Sequence, residues 1–223
     1  MLKRMFVTGT DTAVGKTVVS KALLQALKKT GKTVTGYKPV AKSCKETEEG
    51  LRNKDALILQ ESSSIPLSYQ QVNPVSLQED EISASEQEIN YCAMTEGLNQ
   101  LGGLSDMVIV EGSGGWRTLM NDMRTYSEWV VQEQLPVVLV VGIKLGCINH
   151  ALLTAQAIIN DGLPLVGWVA NRINPGLANY AEIIQALREK IPAPQLGELP
   201  YLPRAEQRDL STYIDLSAIS QSF

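Results

Sequence analysis

Histidine, cysteine and long apolar runs are all scarce in this chain, and each scarcity closes off a class of chemistry. The single histidine, His150, excludes a histidine-rich metal centre, and a Ser-His-Asp triad would have to pass through that one residue. The cysteines, Cys44, Cys92 and Cys147, are widely spaced. That argues against a disulfide framework or a zinc site and suits a reducing, cytoplasmic setting. No apolar run approaches the ~20 residues of a membrane-spanning helix, and the apolar stretch behind Lys3 and Arg4 is too short for a signal peptide. A formal net charge of −4 gives no global attraction for nucleic acid or an anionic membrane. The acidic stretch 78–89 (QEDEISASEQEI) reads as a solvated loop.

What is present is ordinary globular material: 223 residues, 44% apolar and 20% charged, read as a single domain spanning 1–223. Apolar runs alternate with segments of helical period. Residues 5–8 (MFVT), 33–37 (TVTGY), 107–110 (MVIV), 137–141 (VVLVV), 165–170 (LVGWVA) and 195–199 (QLGEL) read as strands. Segments 17–29, 55–61, 90–101, 126–134, 149–160 and 180–190 read as helices, and 65–89, with its prolines, serines and acids, as a surface excursion. Continuous apolar strands separated by helices predict an α/β fold, a mostly parallel sheet with helices on both faces in three layers. Ligands of such sheets bind beyond the carboxyl ends of the strands, so the residues that follow strands are the ones to read.

The first of these is TGTDTAVGKT, Thr8 to Thr17. Strand, glycine loop and helix in that order are the context of a P-loop, with backbone N–H groups and a helix N-terminus cradling phosphate. The usual spacing leaves four residues between the first glycine and Gly-Lys-Thr; here Gly9 and Gly15 have five between them. Lys16 supplies a point charge for the outer phosphates and Thr17 a hydroxyl for Mg²⁺. The added length falls around Asp11 and Thr12, where a second ligand beside the phosphates can be held. Glu111 closes an apolar strand, the place of an acid that ligates Mg²⁺, and Gly112, Ser113, Gly114 and Gly115 let backbone approach a triphosphate. Lys38 and Lys42 follow the second strand and share a face if extended. Two cations there suit a carboxylate-like or phosphorylated intermediate. Removing Lys38 is expected to abolish turnover with little effect on folding. Asp55 is either a third Mg²⁺ ligand or a first-turn helix acid. Asn171, before Arg172, leans toward adenine because a carboxamide both donates and accepts. Gly146, Cys147, Ile148 and Asn149 open a helix whose free N–H groups can hold a carboxylate, or form a plain turn with Asn149 as cap.

These motifs together resemble the dethiobiotin synthetase family over nearly the whole chain. The likeness rests on GTDTAVGKT, GYKPVA, EGLRNKDA, VEGSGGW, GCINHALLTAQ, GWVAN and IPAP. It implies a P-loop NTPase fold and a homodimer. It also implies ATP- and Mg²⁺-dependent carboxylation of 7,8-diaminopelargonic acid by CO₂, then phosphorylation of the carbamate and ring closure to a cyclic urea. The resemblance assigns Lys16 and Lys38 to catalysis and Thr17, Asp55 and Glu111 to Mg²⁺. It gives ATP to Gly9, Ala13, Val14, Gly15, Lys16, Thr17, Val18, Asp55, Gly112, Ser113, Gly114 and Gly115, with the phosphates on residues 13–18 and 112–115. Asn171, Arg172, Pro200, Tyr201 and Leu202 go to adenine, and Thr12, Lys42, Gly146, Cys147, Ile148 and Asn149 to the substrate. Lys42, Arg172 and Ile183 depart from the family pattern, and the sequence resembles a divergent second copy found in some bacteria as much as the main enzyme. The other readings are a nucleotide-operated switch or partitioning ATPase, and a related cyclo-ligase for a different diamine. No nucleic acid or membrane partner is implied.

Overall fold

The computed structural model describes residues 2–219. Their elements run β1 (Arg4–Gly9), α1 (Lys16–Lys29), β2 (Val34–Tyr37), β3 (Val40–Ala41), β4 (Lys45–Thr47) and β5 (Gly50–Arg52). Next come α2 (Lys54–Ser62), α3 (Tyr69–Val72), β6 (Val75–Ser76), α4 (Tyr91–Leu104), β7 (Met107–Glu111) and α5 (Tyr126–Gln132). The series closes with β8 (Val137–Gly142), α6 (Cys147–Asn160), β9 (Leu165–Asn171), α7 (Tyr180–Lys190) and β10 (Gln195–Leu199).

Six strands form one sheet in the order β10-β9-β8-β1-β7-β2, and every pairing in it is parallel. The cause is visible in β7 and β8, where every residue is buried. Strands apolar on both faces are stable only when helices cover both, and each buried Val or Ile then contributes about 1.5–3 kcal/mol relative to exposure. α1 packs on β2, β7 and α2, while α6 packs on β8, β9 and α7. β1 lies centrally, with β7 and β2 to one side and β8, β9 and β10 to the other. The connections reverse direction there, which opens a crevice at the carboxyl ends of β1 and β7. The register sets Val7 opposite Glu111, so the P-loop and that acid emerge side by side.

Two expectations change. The segment 65–89 is no surface excursion: it carries α3 and β6, buries Leu67, Val72, Val75, Leu77, Ile82 and Ile89, and pairs β6 with β3. Within the acidic stretch Ile82 and Ser85 are likewise buried. At its centre Asn73 is fully buried; its Nδ2 donates to the Lys38 carbonyl at 2.7 Å and the Val75 carbonyl at 2.9 Å, and its Oδ1 accepts from Tyr69 and Ser76. The helix from Tyr126 stops at Gln132 because Gln134 takes a left-handed backbone, φ 50°.

Candidate active site

The lengthened P-loop absorbs its extra residue by turning twice through left-handed backbone, at Ala13 (φ 58°) and Gly15 (φ 90°). Gly15 is the N-cap of α1, and a Cβ there would sit 2.1 Å from Asn171 Nδ2. That amide instead donates to the Val14 carbonyl at 2.9 Å. Asn171 therefore braces the loop from β9 through one N–H of its amide. The Lys16 ammonium donates to the Asp11 carbonyl at 3.1 Å. Burial lowers the Lys16 pKa to about 8, with Lys38 adding to the fall.

Below the loop lies a compact polar cluster. Thr17 Oγ1 donates to Glu111 Oε1 at 2.8 Å, and Lys38 Nζ donates to the same oxygen at 2.7 Å. Lys38 also reaches Asp55 Oδ2 at 3.2 Å. The Lys38 side chain is 4% exposed and that of Glu111 0%. Burial alone would depress the lysine, but Glu111 and Asp55 outweigh it and hold its pKa above the ordinary value. Burial pushes the Asp55 carboxyl up, yet Lys38 and Thr17 together carry it below the usual carboxylate range. Glu111 Oε2 is buried without a hydrogen-bond partner. A buried carboxylate oxygen left over beside a threonine hydroxyl and a second carboxylate is the donor set of a hard divalent cation, so Thr17, Asp55 and Glu111 fit Mg²⁺.

A cleft of about 270 Å³ runs over this cluster, and its wall includes Thr12, Lys16, Thr17, Lys38, Lys42 and Asp55. Ala13, Gly15, Val18, Ser113 and Gly114 line it as well. Lys38 and Lys42 share the cleft but their ammonium groups diverge, Lys42 pairing with Glu81 at 3.2 Å. Asn53 was not singled out by the sequence reading. It caps α2 through Asp55 N and Ala56 N and donates to the Lys42 carbonyl, tying two cleft walls together. Glu206 and Lys54, also in the wall, pair at 3.0 Å; no local motif marked Glu206.

Other expected residues fall elsewhere. Among the described residues, Glu206 represents the C-terminal segment in the cleft wall, and Pro200, Tyr201 and Leu202 stand outside it after β10. Arg172 stacks its guanidinium on Tyr180 at 4.5 Å, and Ile183 packs against the core. The helix at Gly146 begins one residue later, at Cys147; Gly146 itself is the cap (φ 82°), and Asn149 lies within the helix rather than capping it. Cys147 is buried, and Ile148 packs on the core. Asp11 turns its carboxylate to Lys144 Nζ at 2.9 Å, ahead of α6; that contact lowers its pKa. A second hollow of about 390 Å³ opens on this side, between Thr10, Asp11, Gly115, Trp116, Leu153 and Thr154.

Comparison with known proteins agrees with the fold and identifies the family. A family model described as an AAA domain matches residues 3–208. Of solved structures, a chain of the MinC:MinD cell division protein complex of Aquifex aeolicus superposes with a TM-score of 0.59. That match has 15% identity and covers 99% of this chain and 90% of the other, a likeness of fold alone. Sequence relatives are far nearer. The ATP-dependent dethiobiotin synthetase BioD 2 of Yersinia pestis is 72% identical over 221 residues, 99% of this chain and 100% of the relative. The protein of the same name from Escherichia coli K12 is 69% identical over 220 residues, 98% of this chain and 95% of the relative. At that identity and coverage, and with a P-loop threonine and a buried lysine meeting on one strand-end acid, the chain belongs to the ATP-dependent dethiobiotin synthetase family.

Proposed function

We propose that this protein joins CO₂ to 7,8-diaminopelargonic acid at the expense of ATP and closes the product to dethiobiotin, a cyclic urea. The carrying observation is the buried Lys38 ammonium, held between Glu111 and Asp55 after β2, with only β7 between that strand and the one that leads into the phosphate loop. One amine of the diamine adds to CO₂ and loses a proton, giving a carbamate. A carbamate oxygen then takes the γ-phosphoryl group of ATP, and ADP leaves. The neighbouring amine attacks the carbamate carbon, expels phosphate and loses its proton.

Lys16 and Lys38 stand where negative charge gathers during transfer. They act by fixed electrostatics, since the phosphoryl group requires placement more than covalent assistance. Thr12 meets the carbamate. The loop from Ala13 to Val18, with Ser113 and Gly114 opposite, holds the phosphates. Thr17, Asp55 and Glu111 would hold Mg²⁺, which when bound would supply positive charge against the phosphates. The hollow beside Trp116 and Leu153 suits the aliphatic chain of the diamine, and the buried Thr10 hydroxyl in its wall lacks a protein partner. Two exposed apolar side chains, Leu145 at 89% just ahead of α6 and Leu153 at 59% within it, support a homodimer that covers this face. No helix among the described residues is long and apolar enough to cross a membrane, which is compatible with the cytoplasmic reading.

The test is ADP and phosphate release on adding the diamine with bicarbonate and Mg²⁺, with mass spectrometry of the cyclic urea. Stoichiometric ADP, phosphate and product are expected. Release that ignores the diamine would overturn the assignment.

A further inference from the structure

We infer that Lys42 binds an oxyanion at the transfer site and that Glu81 is its built-in competitor, holding the ammonium until a substrate oxygen displaces the carboxylate. The identity of the second substrate rests on the synthetase reading; the nucleotide arm of the test does not.

The exposures of the two partners differ sharply: the Lys42 side chain is 15% exposed and that of Glu81 67%. The cation belongs to the cleft wall beside Lys16 and Lys38, whereas its partner stands mostly in water. Breaking such a pair leaves a solvated carboxylate, which costs little, and a lysine that still faces the cleft. The Lys42 backbone is held from both sides. Its carbonyl accepts from Asn53, the residue that caps the Asp55 helix, at 2.9 Å. The next residue, Ser43, takes φ 55° and bonds the acidic segment twice, its N–H to the Glu79 carbonyl and its Oγ to Asp80. Only the side chain is free to change partner.

Charge in the cleft points the same way. Lys16, Lys38 and Lys42 are faced by Glu111, Asp55 and Glu81, and Lys54 is matched by Glu206. With Glu81 turned out, one positive charge is left over inside the cleft. The oxygen that takes it belongs either to the outer phosphoryl group of the nucleotide or to the carbamate of the second substrate, since both are small oxyanions.

The experiment uses the whole protein with wild type, Glu81→Gln, Lys42→Met, Lys42→Arg and the Glu81→Gln/Lys42→Met pair, each checked for an unchanged unfolding midpoint. Calorimetry with the Mg²⁺ complex of β,γ-methylene ATP reads the nucleotide arm. The KM for the diamine, at fixed ATP and bicarbonate, reads the carbamate arm. Glu81→Gln should tighten one of these constants by up to about fivefold, the range open to a partly exposed ion pair. Lys42→Met should weaken the same constant, Lys42→Arg should restore part of it, and Glu81→Gln should do nothing once Lys42 is gone. A shift in the analogue constant assigns the phosphoryl oxygen; one confined to the diamine KM assigns the carbamate. An unchanged pair of constants in Glu81→Gln, or an equal effect of Glu81→Gln with Lys42 absent, overturns the proposal. Should wild type show no diamine-dependent turnover, the synthetase reading falls and the analogue constant alone decides for or against Lys42.

Discussion

Replacing Lys38 by methionine should damage the fold as well as the chemistry. An exposed lysine after a strand would be removed at little cost, but Lys38 faces a carboxylate with 0% exposure at 2.7 Å. Removing one member of a buried pair leaves an uncompensated charge, which costs about 3–5 kcal/mol. Asp55 adds little to this, because at 41% exposure water takes the place of the lost partner. Thr17 still donates to Glu111 Oε1, and the nearby Lys16 cation offsets part of the loss. The expected value is therefore near the lower end, about 3 kcal/mol, a large share of the ~5–15 kcal/mol that separates folded from unfolded chains. Adding Glu111→Gln to Lys38→Met removes the stranded charge and should recover roughly half, leaving the cost of an imperfectly bonded amide, about 1–2 kcal/mol. Urea unfolding at neutral pH is the assay, without nucleotide and with a chelator, because a divalent ion would neutralise Glu111 in the variant. A single variant within about 1 kcal/mol of wild type, or a double variant no more stable than the single, would refute the reasoning.

Gly15→Ala should weaken nucleotide binding more than tenfold, read by calorimetry: the new methyl meets Asn171 Nδ2, and φ 90° strains any residue with a Cβ. Asn73→Ala should cost roughly 3 kcal/mol in urea unfolding, because it orphans buried partners including the Lys38 carbonyl. Asp161 is held below the usual carboxylate range by its hydrogen bonds from Arg117, with Trp116 contributing. A carboxyl with a lowered folded pKa adds stability that is present above the unfolded value, about 3.9, and is lost as pH falls through the folded value. Asp161→Asn should therefore lower the unfolding midpoint at pH 7 and flatten its decline below about pH 4; an unchanged acid limb would count against the pair.

The sheet was legible because burial on both faces turns β7 and β8 into unbroken apolar runs, a pattern that survives without knowing the neighbours. The P-loop, Glu111 and Asp55 were legible from their places after strands or at a helix start. What escaped depends on contacts distant in the chain or on mixed composition. Asn171 and Val14 are 157 residues apart, and Lys144 and Asp11 are 133 apart, so no local pattern joins them. In 65–89 the buried residues are scattered among serines, prolines and acids without a period, and polar Asn73 lies at the centre, where composition says surface. The β4–β5 hairpin hides in a stretch of alternating charges, mostly exposed.

The strand order has a consequence for how the protein is made. β7 lies between β1 and β2, although both precede it in the chain by more than a helix. A growing polypeptide thus completes its phosphate loop long before the strand that must slot in beside it exists. Thr17 waits 94 residues for Glu111, and Lys38 waits 73. Pairings over such separations form slowly, because chain entropy is lost before the contact is gained. Insertion of β7 between β1 and β2 sets Glu111 beside Thr17 and Lys38, so folding of this half of the sheet is what assembles the reactive cluster.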